Sequence, residues 1–137
     1  MKKLIAAFII LASTTIVAQD AKVDLKVKIT GIKNNNGKIM VGLYDSEGNF
    51  LKKTFQSKST IIKGNSAYVV FENLNKGEYA ISLYHDENNN DKLDTNFFGI
   101  PKEDYVTSNN AKGFMGPPKY ADAKFNLQQS KELQLEL

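Results

Sequence analysis

One segment of this sequence carries oxygen-bearing side chains at alternate positions, in a spacing that metal-binding loops use. Asp86, Asn88 and Asn90 match positions 1, 3 and 5 of an EF-hand-type calcium loop. The Lys92 carbonyl matches position 7 and Asp94 matches position 9. In a tightly curled loop every second side chain turns toward one centre, where hard oxygen ligands replace water around a hard cation. The segment therefore predicts a metal site, with calcium as the candidate cofactor, at Asp86, Asn88, Asn90, Lys92 and Asp94.

Two positions depart from the calcium-loop pattern. Position 6 is Asp91 where glycine is expected, and position 12 is Phe97, which has no carboxylate. Aspartate tolerates the left-handed backbone conformation, so the first departure is compatible with a loop of this kind. The missing carboxylate would have to come from Asp91, Glu103, Asp104, a backbone carbonyl or water. The alternative is an Asx-rich turn that caps its own backbone without an ion, and both interpretations stay open.

Acid–base chemistry has weaker support in the sequence. His85 is the single histidine, and although Asp86 follows it, adjacent strand residues point to opposite faces. We therefore expect a structural hydrogen-bonding role for His85. Glu103 and Asp86 could form a carboxylate pair for glycoside hydrolysis, but solvated loop acids are the commoner explanation. The sequence has no Gly-x-Ser-x-Gly elbow and no phosphate-binding glycine loop, so we expect a protein that is not an enzyme.

The elements that must position these residues are strands. Apolar residues alternate with polar ones in short runs, and the runs are separated by clusters of Asn, Gly, Asp and Pro, which is typical of strands and turns. We predict an all-β fold: a seven-stranded antiparallel Greek-key sandwich of immunoglobulin or transthyretin type. The strands are predicted around 25–29, 39–43, 54–62, 67–71, 79–83, 123–127 and 133–137.

Two further features belong to this predicted sandwich. The spacing Leu74-x-x-Gly77-x-Tyr79 is that of a tyrosine corner, in which a hydroxyl bonds to nearby backbone; a core tyrosine at a turn is the alternative. Residues 85–120 form a long polar stretch with scattered aromatic residues. Because a disordered linker would hardly keep aromatic residues, we predict one long ordered loop excursion packed on the sandwich.

The N-terminal segment has the layout of a secretory signal. Lys2 and Lys3 precede an apolar run, and small residues follow it. The 14 residues from Leu4 to Val17 are too few to span a bilayer, so we predict a signal peptide over 1–18, cleavage after Ala18 and no membrane span. Residues 19–137 are predicted to form a single domain, located in the periplasm or outside the cell.

The charge bears on which partners the protein could bind, and the cysteine content bears on how its fold is stabilised. Removal of residues 1–18 lowers the formal charge from +3 to +1, and no lysine or arginine cluster is interleaved with aromatic residues. We therefore expect no nucleic-acid partner. The sequence has no cysteine, so packing or a bound ion must stabilise the fold in an oxidising compartment, since disulfides cannot.

The order of several short motifs resembles a known family, domain-of-unknown-function family 2141. The residues that carry the resemblance are 73–80, 85–94, 98–103, 108–110, 116–118 and 122–125. The resemblance implies a secreted or periplasmic bacterial protein with a sandwich like the transthyretin-like and carboxypeptidase-regulatory modules, and it implies no established activity. Where the family tends to place Gly-Phe, this chain has Val106-Thr107, so a tight turn or a buried aromatic is not expected there.

Three hypotheses for function follow from these observations. The first is an exported, non-enzymatic module that binds a protein, peptide or glycan through the 85–120 surface, with calcium ordering the loop. The second is a small enzyme that acts on extracellular polysaccharide with Glu103 and Asp86 as its acids. The third is a purely structural envelope component whose Asn-rich loop binds no ion.

Overall fold

Two β-sheets packed on a common core make up the described part of this computed structural model, residues 20–137. The predicted signal peptide, residues 1–18, lies outside the described residues. All eight strands and the one short α-helix of the described residues are given by their bounds: β1 (Val23–Thr30), β2 (Lys38–Tyr44), β3 (Gln56–Thr60), β4 (Ala67–Leu74), β5 (Gly77–Asp86), β6 (Tyr105–Thr107), α1 (Tyr120–Ala123), β7 (Phe125–Leu127) and β8 (Lys131–Glu136).

The smaller sheet has three strands and the larger sheet has five. The smaller sheet has the order β4-β1-β8, and the larger has the order β3-β2-β5-β6, with β7 also paired to β5. Neighbouring strands are antiparallel except β1 and β8, which run parallel from the pair Leu25 and Lys131 to the pair Thr30 and Glu136. The described residues are therefore mostly β, in two open sheets.

The prediction of seven antiparallel strands is wrong in two respects. An eighth strand, β6, lies inside the predicted loop excursion, and the β1–β8 pair is parallel. Strand β6 contributes a single apolar residue, Val106, to the core, so it shows no alternation. Alternation also indicates which face of a strand is buried but not the direction of the neighbouring strand. The position of Val106-Thr107 within this strand agrees with the absence of a tight turn there.

The core confirms the alternation. On β1 the side chains of Leu25, Val27 and Ile29 are fully buried, while the lysines between them are exposed. The larger sheet contributes a matching inward set from β2 and β5, which includes Leu43 and Leu83. Each sheet therefore turns one apolar face to the other, and residues of both sheets form one hydrophobic cluster.

The tyrosine corner is confirmed. The Tyr79 hydroxyl donates a hydrogen bond of 2.8 Å to the Asn75 carbonyl. The bond lies where the chain leaves β4 of the smaller sheet and enters β5 of the larger sheet after only two residues. Burial raises the pKa of the Tyr79 hydroxyl, so it remains a donor at neutral pH. The corner thus fixes the shortest crossover between the two sheets.

The predicted excursion packs on the sandwich through other residues than expected. Tyr120 and Ala123 of α1 are buried in a second cluster with Tyr44, Phe50 and Ala80. The aromatic and methionine residues that suggested the packing are instead solvent-exposed: Phe97, Phe98, Phe114 and Met115. They occupy the outermost positions of two turns, where no other part of the fold covers them among the described residues.

We expect Tyr79→Phe to lower the free energy of unfolding by about 1 kcal/mol, because the ring stays buried and only the hydrogen bond to Asn75 is lost. Denaturant titration of residues 19–137 measures this change. Tyr68→Phe is the matched control, since Tyr68 is an exposed strand residue. Equal midpoints for the wild type and Tyr79→Phe would contradict a stabilising corner.

Candidate functional site

The loop that follows β5 is held by the carboxylate of Asp86. This side chain is fully buried at the end of the strand. Its Oδ1 accepts the Asn90 N–H at 3.0 Å, and its Oδ2 accepts the Asp91 N–H at 2.9 Å. Lys38, opposite Asp86 in the β2–β5 ladder, places its Nζ 3.8 Å from Oδ2. The carboxylate therefore curls the loop back onto the strand and is already close to one cation.

The next alternate residues turn toward one another. Asn88 Oδ1 accepts the Asn90 N–H at 3.2 Å, and Asn90 Oδ1 accepts the Lys92 N–H at 3.0 Å. The two amide groups donate to the Asp94 carboxylate at 2.7 and 2.8 Å. These bonds, led by the one from Asn90, lower the pKa of the Asp94 carboxyl. The structure thus brings Asp86, Asn88, Asn90 and Asp94 into one hydrogen-bonded loop, as the spacing predicts.

Glu103 closes the loop from the returning chain. Its Oε1 accepts the Glu87 N–H at 3.1 Å and its Oε2 accepts the Asp94 N–H at 3.0 Å. The other two acids considered as substitutes for the missing position-12 carboxylate lie in lysine ion pairs: Asp91 with Lys38, and Asp104 with Lys33. Glu103 is therefore the substitute that the fold brings to the loop.

The loop backbone adopts the conformation that a calcium loop requires at position 6. Asp91, which stands there in place of glycine, has a φ of 63°, so this departure is accommodated. Within residues 20–137 no three His, Cys, Asp or Glu side chains converge on one point. Any ion would need amide and backbone oxygens in addition, and each amide oxygen that accepts one N–H keeps a second lone pair.

A cleft of about 1020 Å³ lies on the outer face of the larger sheet, beside this loop. Its floor consists of outward side chains from four adjacent strands, β3, β2, β5 and β6, among them Met40, Tyr84 and Tyr105 in one row. The next row holds Ser82 and Thr107 with Gly42 beside them. A Cβ on Gly42 would lie 2.9 Å from the Thr54 methyl group, so glycine leaves space for the residues that cover it.

The loop excursion forms the other wall of the cleft. Residues 93–101 contribute Leu93, Phe98, Ile100 and Pro101, and residues 115–118 contribute a second apolar segment. None of the described residues that line the cleft is an Asp, Glu, Lys, Arg or His. Burial, together with nearby carboxylates, raises the pKa of the Tyr84 hydroxyl to about 12. The lining is therefore uncharged at neutral pH, with hydroxyl groups on the sheet and apolar groups on the loops.

His85 takes no part in the cleft. Its side chain is buried on the core side of β5, opposite to Asp86. The ring Nε2 lies 2.6 Å from the Asn36 carbonyl oxygen, to which it donates. The Nδ1 lies 3.8 Å from the Glu87 carboxylate and has no hydrogen-bond partner among the described residues. These contacts support the structural role expected for His85.

Ser108 is a buried residue of the site that no sequence pattern indicates. Its buried Oγ accepts the Ile81 N–H at 2.9 Å and donates to the Ala123 carbonyl. It thereby ties the chain after β6 both to β5 and to α1, next to the end of the cleft floor at Thr107. A lone serine in a polar stretch carries no local signal of such a role, because both partners are distant in sequence.

We expect Asn90→Ala to raise the pKa of Asp94 toward its ordinary value, because this substitution removes the larger of the two hydrogen bonds that lower it. The folded-state pKa is depressed, so the stability that Asp94 contributes is present at neutral pH and is lost as the pH falls through that pKa. Carbon-13 NMR of the Asp94 carboxyl against pH measures the change. Asn96→Ala, whose side chain bonds only to the Phe98 and Ile100 amides, is the control. An unshifted titration in Asn90→Ala would refute the assigned cause.

Comparison with known proteins gives one match. A family model described as "Uncharacterized protein conserved in bacteria (DUF2141)" matches residues 27–134, which cover every strand of the larger sheet, the loop and the cleft. No curated protein and no solved structure matches this chain. Among the described residues, no helix has the length and apolar character needed to cross a membrane. The match covers most of the chain, and we conclude that the protein belongs to the DUF2141 family.

Proposed function

We propose that this protein is a non-enzymatic binding module that holds an uncharged, largely apolar ligand in the cleft between the larger sheet and the loop excursion. The observation that carries the proposal is a cleft of about 1020 Å³ whose lining, among the described residues, includes no Asp, Glu, Lys, Arg or His. This volume is at the upper end of what small-molecule sites occupy. A charged ligand would have to bury its charge in the cleft without a partner, which is costly. Of the peptide and glycan ligands considered above, we therefore propose only neutral ones.

The two walls of the cleft favour different parts of such a ligand. The floor offers the hydroxyl groups of Ser82 and Tyr84, each a neutral donor and acceptor. The loop wall offers Phe98 and Ile100 for contact with an apolar body. A few polar groups that orient a mostly apolar ligand are typical of binding sites.

The two carboxylates considered for glycan hydrolysis bind the backbone of the loop instead. Asp86 and Glu103 each accept two backbone N–H groups of the loop, and neither lines the cleft. A general acid must reach its substrate within hydrogen-bond distance. The geometry therefore supports binding better than hydrolysis.

We expect wild-type residues 19–137 to bind the neutral fluorescent probe N-phenyl-1-naphthylamine, and Phe98→Ala to weaken that binding about fivefold through lost apolar contact. Ser82→Asp should abolish binding because it places a charge on the floor. Phe114→Ala and Ser59→Asp are matched controls, since neither residue lines this cleft. Fluorescence titration measures all five proteins. Absence of binding by the wild type, or equal affinities throughout, would reject the cleft as the site.

Calcium is proposed as the cofactor that orders the loop at Asp86, Asn88, Asn90, the Lys92 carbonyl and Asp94. What supports it is that the Asn88 and Asn90 side chains both reach the Asp94 carboxylate, together with the left-handed backbone of Asp91. Each carboxylate and amide oxygen that accepts an N–H has a free lone pair for the ion. The ammonium of Lys38 lies close to Asp86 and would compete with calcium.

We expect calcium, and not magnesium, to raise the thermal midpoint of residues 19–137, by an amount that corresponds to about 1.4 kcal/mol at ten times its Kd. Asp94→Asn should remove the rise, whereas Lys38→Gln should enlarge it by removing the competing cation. Asp94→Asn is preferred to Asp86→Ala because Asp86 holds the loop even without an ion. The same midpoint in calcium, magnesium and chelator would leave the loop an Asx-rich turn, as in a purely structural envelope component.

The topology of the sandwich and the cellular location of the protein are proposed as well. We propose a Greek-key sandwich of immunoglobulin or transthyretin type; what supports it is that the chain changes sheet between β1 and β2, between β3 and β4, and between β4 and β5. Export to the periplasm or the cell exterior is proposed from the signal layout of residues 1–18.

A further inference from the structure

Two turns of the loop excursion each present a pair of adjacent apolar side chains to solvent. Phe97 is 97% exposed and Phe98 is 82% exposed, while Phe114 is 92% exposed and Met115 is 94% exposed. Single exposed apolar residues are normal on protein surfaces, but a group of them marks a contact with another protein or a membrane. These four residues are here called the apolar tips.

The backbone of each turn is built to hold its tip. The Asn96 side chain accepts the N–H groups of Phe98 and Ile100 at 2.9 and 3.0 Å, which closes the first turn. In the second turn a Cβ on Gly113 would lie 1.8 Å from the Gly116 carbonyl oxygen, so only glycine permits this reversal. Defined hydrogen bonds and close backbone contact therefore hold the tips outward.

Both turns belong to one surface. Phe98 and Met115 each line the cleft, one from either turn, so the apolar tips flank the same opening. The Phe97 ring packs edge-on against Phe98, with 5.5 Å between the ring centroids. Phe97 and Phe114 are not among the residues that line the cleft, so these two can be substituted without changing its lining.

The segment that carries the tips has more lysines than acids. Residues 95–119 contain three lysines, Lys102, Lys112 and Lys119, and all three are exposed. The two acids of that segment keep their negative charges but make contacts within the fold: Glu103 accepts two loop N–H groups and Asp104 pairs with Lys33. Among the described ion pairs, none includes these three lysines.

We propose that the apolar tips insert into the surface of a membrane that contains anionic lipids, with the three lysines against the headgroups. Apolar side chains that enter the interface and lysines that face anionic headgroups are the two contributions to peripheral membrane binding. A protein partner would need two matching pockets for two separate projecting turns, whereas a fluid headgroup layer adapts to both. Phe98 and Met115 also line the cleft, so the test substitutes Phe97 and Phe114, which do not.

The test is sedimentation of residues 19–137 with vesicles of phosphatidylglycerol and phosphatidylethanolamine, compared with vesicles of phosphatidylcholine. We expect binding to the anionic vesicles that weakens as salt is added. The double variant Phe97→Ser/Phe114→Ser should lower the partition coefficient at least about tenfold. The double variant Ile61→Ser/Tyr68→Ser removes comparably exposed apolar residues outside the tips and should bind like the wild type.

Each result decides the proposal. No sedimentation of the wild type with anionic vesicles would overturn it and would assign the tips to a protein partner. Equal partition of the tip variant and the wild type would overturn it too, as would equal binding to both kinds of vesicle. Binding of the naphthylamine probe tests the cleft separately from membrane binding. The variant Phe97→Ser/Phe114→Ser should bind the probe as the wild type does.

Discussion

The pleat of strand β5 is the constraint on which the rest of this structure depends. Because successive side chains of a strand point to opposite faces, Ile81 and Leu83 enter the core while Ser82 and Tyr84 face the cleft. The same strand pairs with β2, β6 and β7. A slip of one residue would exchange the two sets, burying hydroxyl groups and exposing apolar ones. One register therefore sets the core, the cleft floor and the point where the loop begins.

Beyond the end of β5, carboxylates instead of a neighbouring strand accept hydrogen bonds from the backbone N–H groups. Asp86 and Glu103 together accept four N–H groups of the loop, two each. These bonds hold the curl whether or not an ion is present, which is why the same residues satisfy both a calcium loop and an Asx-rich turn. Lys38 already places a cation near Asp86, so an added calcium ion would enter a site that the chain itself has partly neutralised.

The excursion after this loop separates two kinds of apolar surface. Ile100 and Pro101 line an uncharged cleft with hydroxyl groups on its floor, whereas Phe97 and Phe114 project from turns into solvent. Ser108 and the buried residues of α1 anchor the excursion behind them. The excursion therefore combines an anchored base with projecting tips.

Local pattern determined a large part of this protein from the sequence alone. Alternation located seven of the eight strands of the described residues, because the period of side-chain burial is a local property. The corner at Tyr79 followed from its spacing, since hydroxyl and carbonyl are four residues apart. The curl around Asp86 followed for the same reason, since its bonds span two to five residues.

Only the tertiary structure decided which distant segments meet. It placed β8 parallel to β1, brought Glu103 across the loop from Glu87 to Asp94, and assembled the cleft from four strands of the larger sheet and the loops beside them. It also exposed Phe97 and Phe114, which composition alone had suggested would pack on the sandwich. Such contacts depend on loop closure and on complementary packing between residues that are distant in sequence. A local sequence pattern contains information on neither.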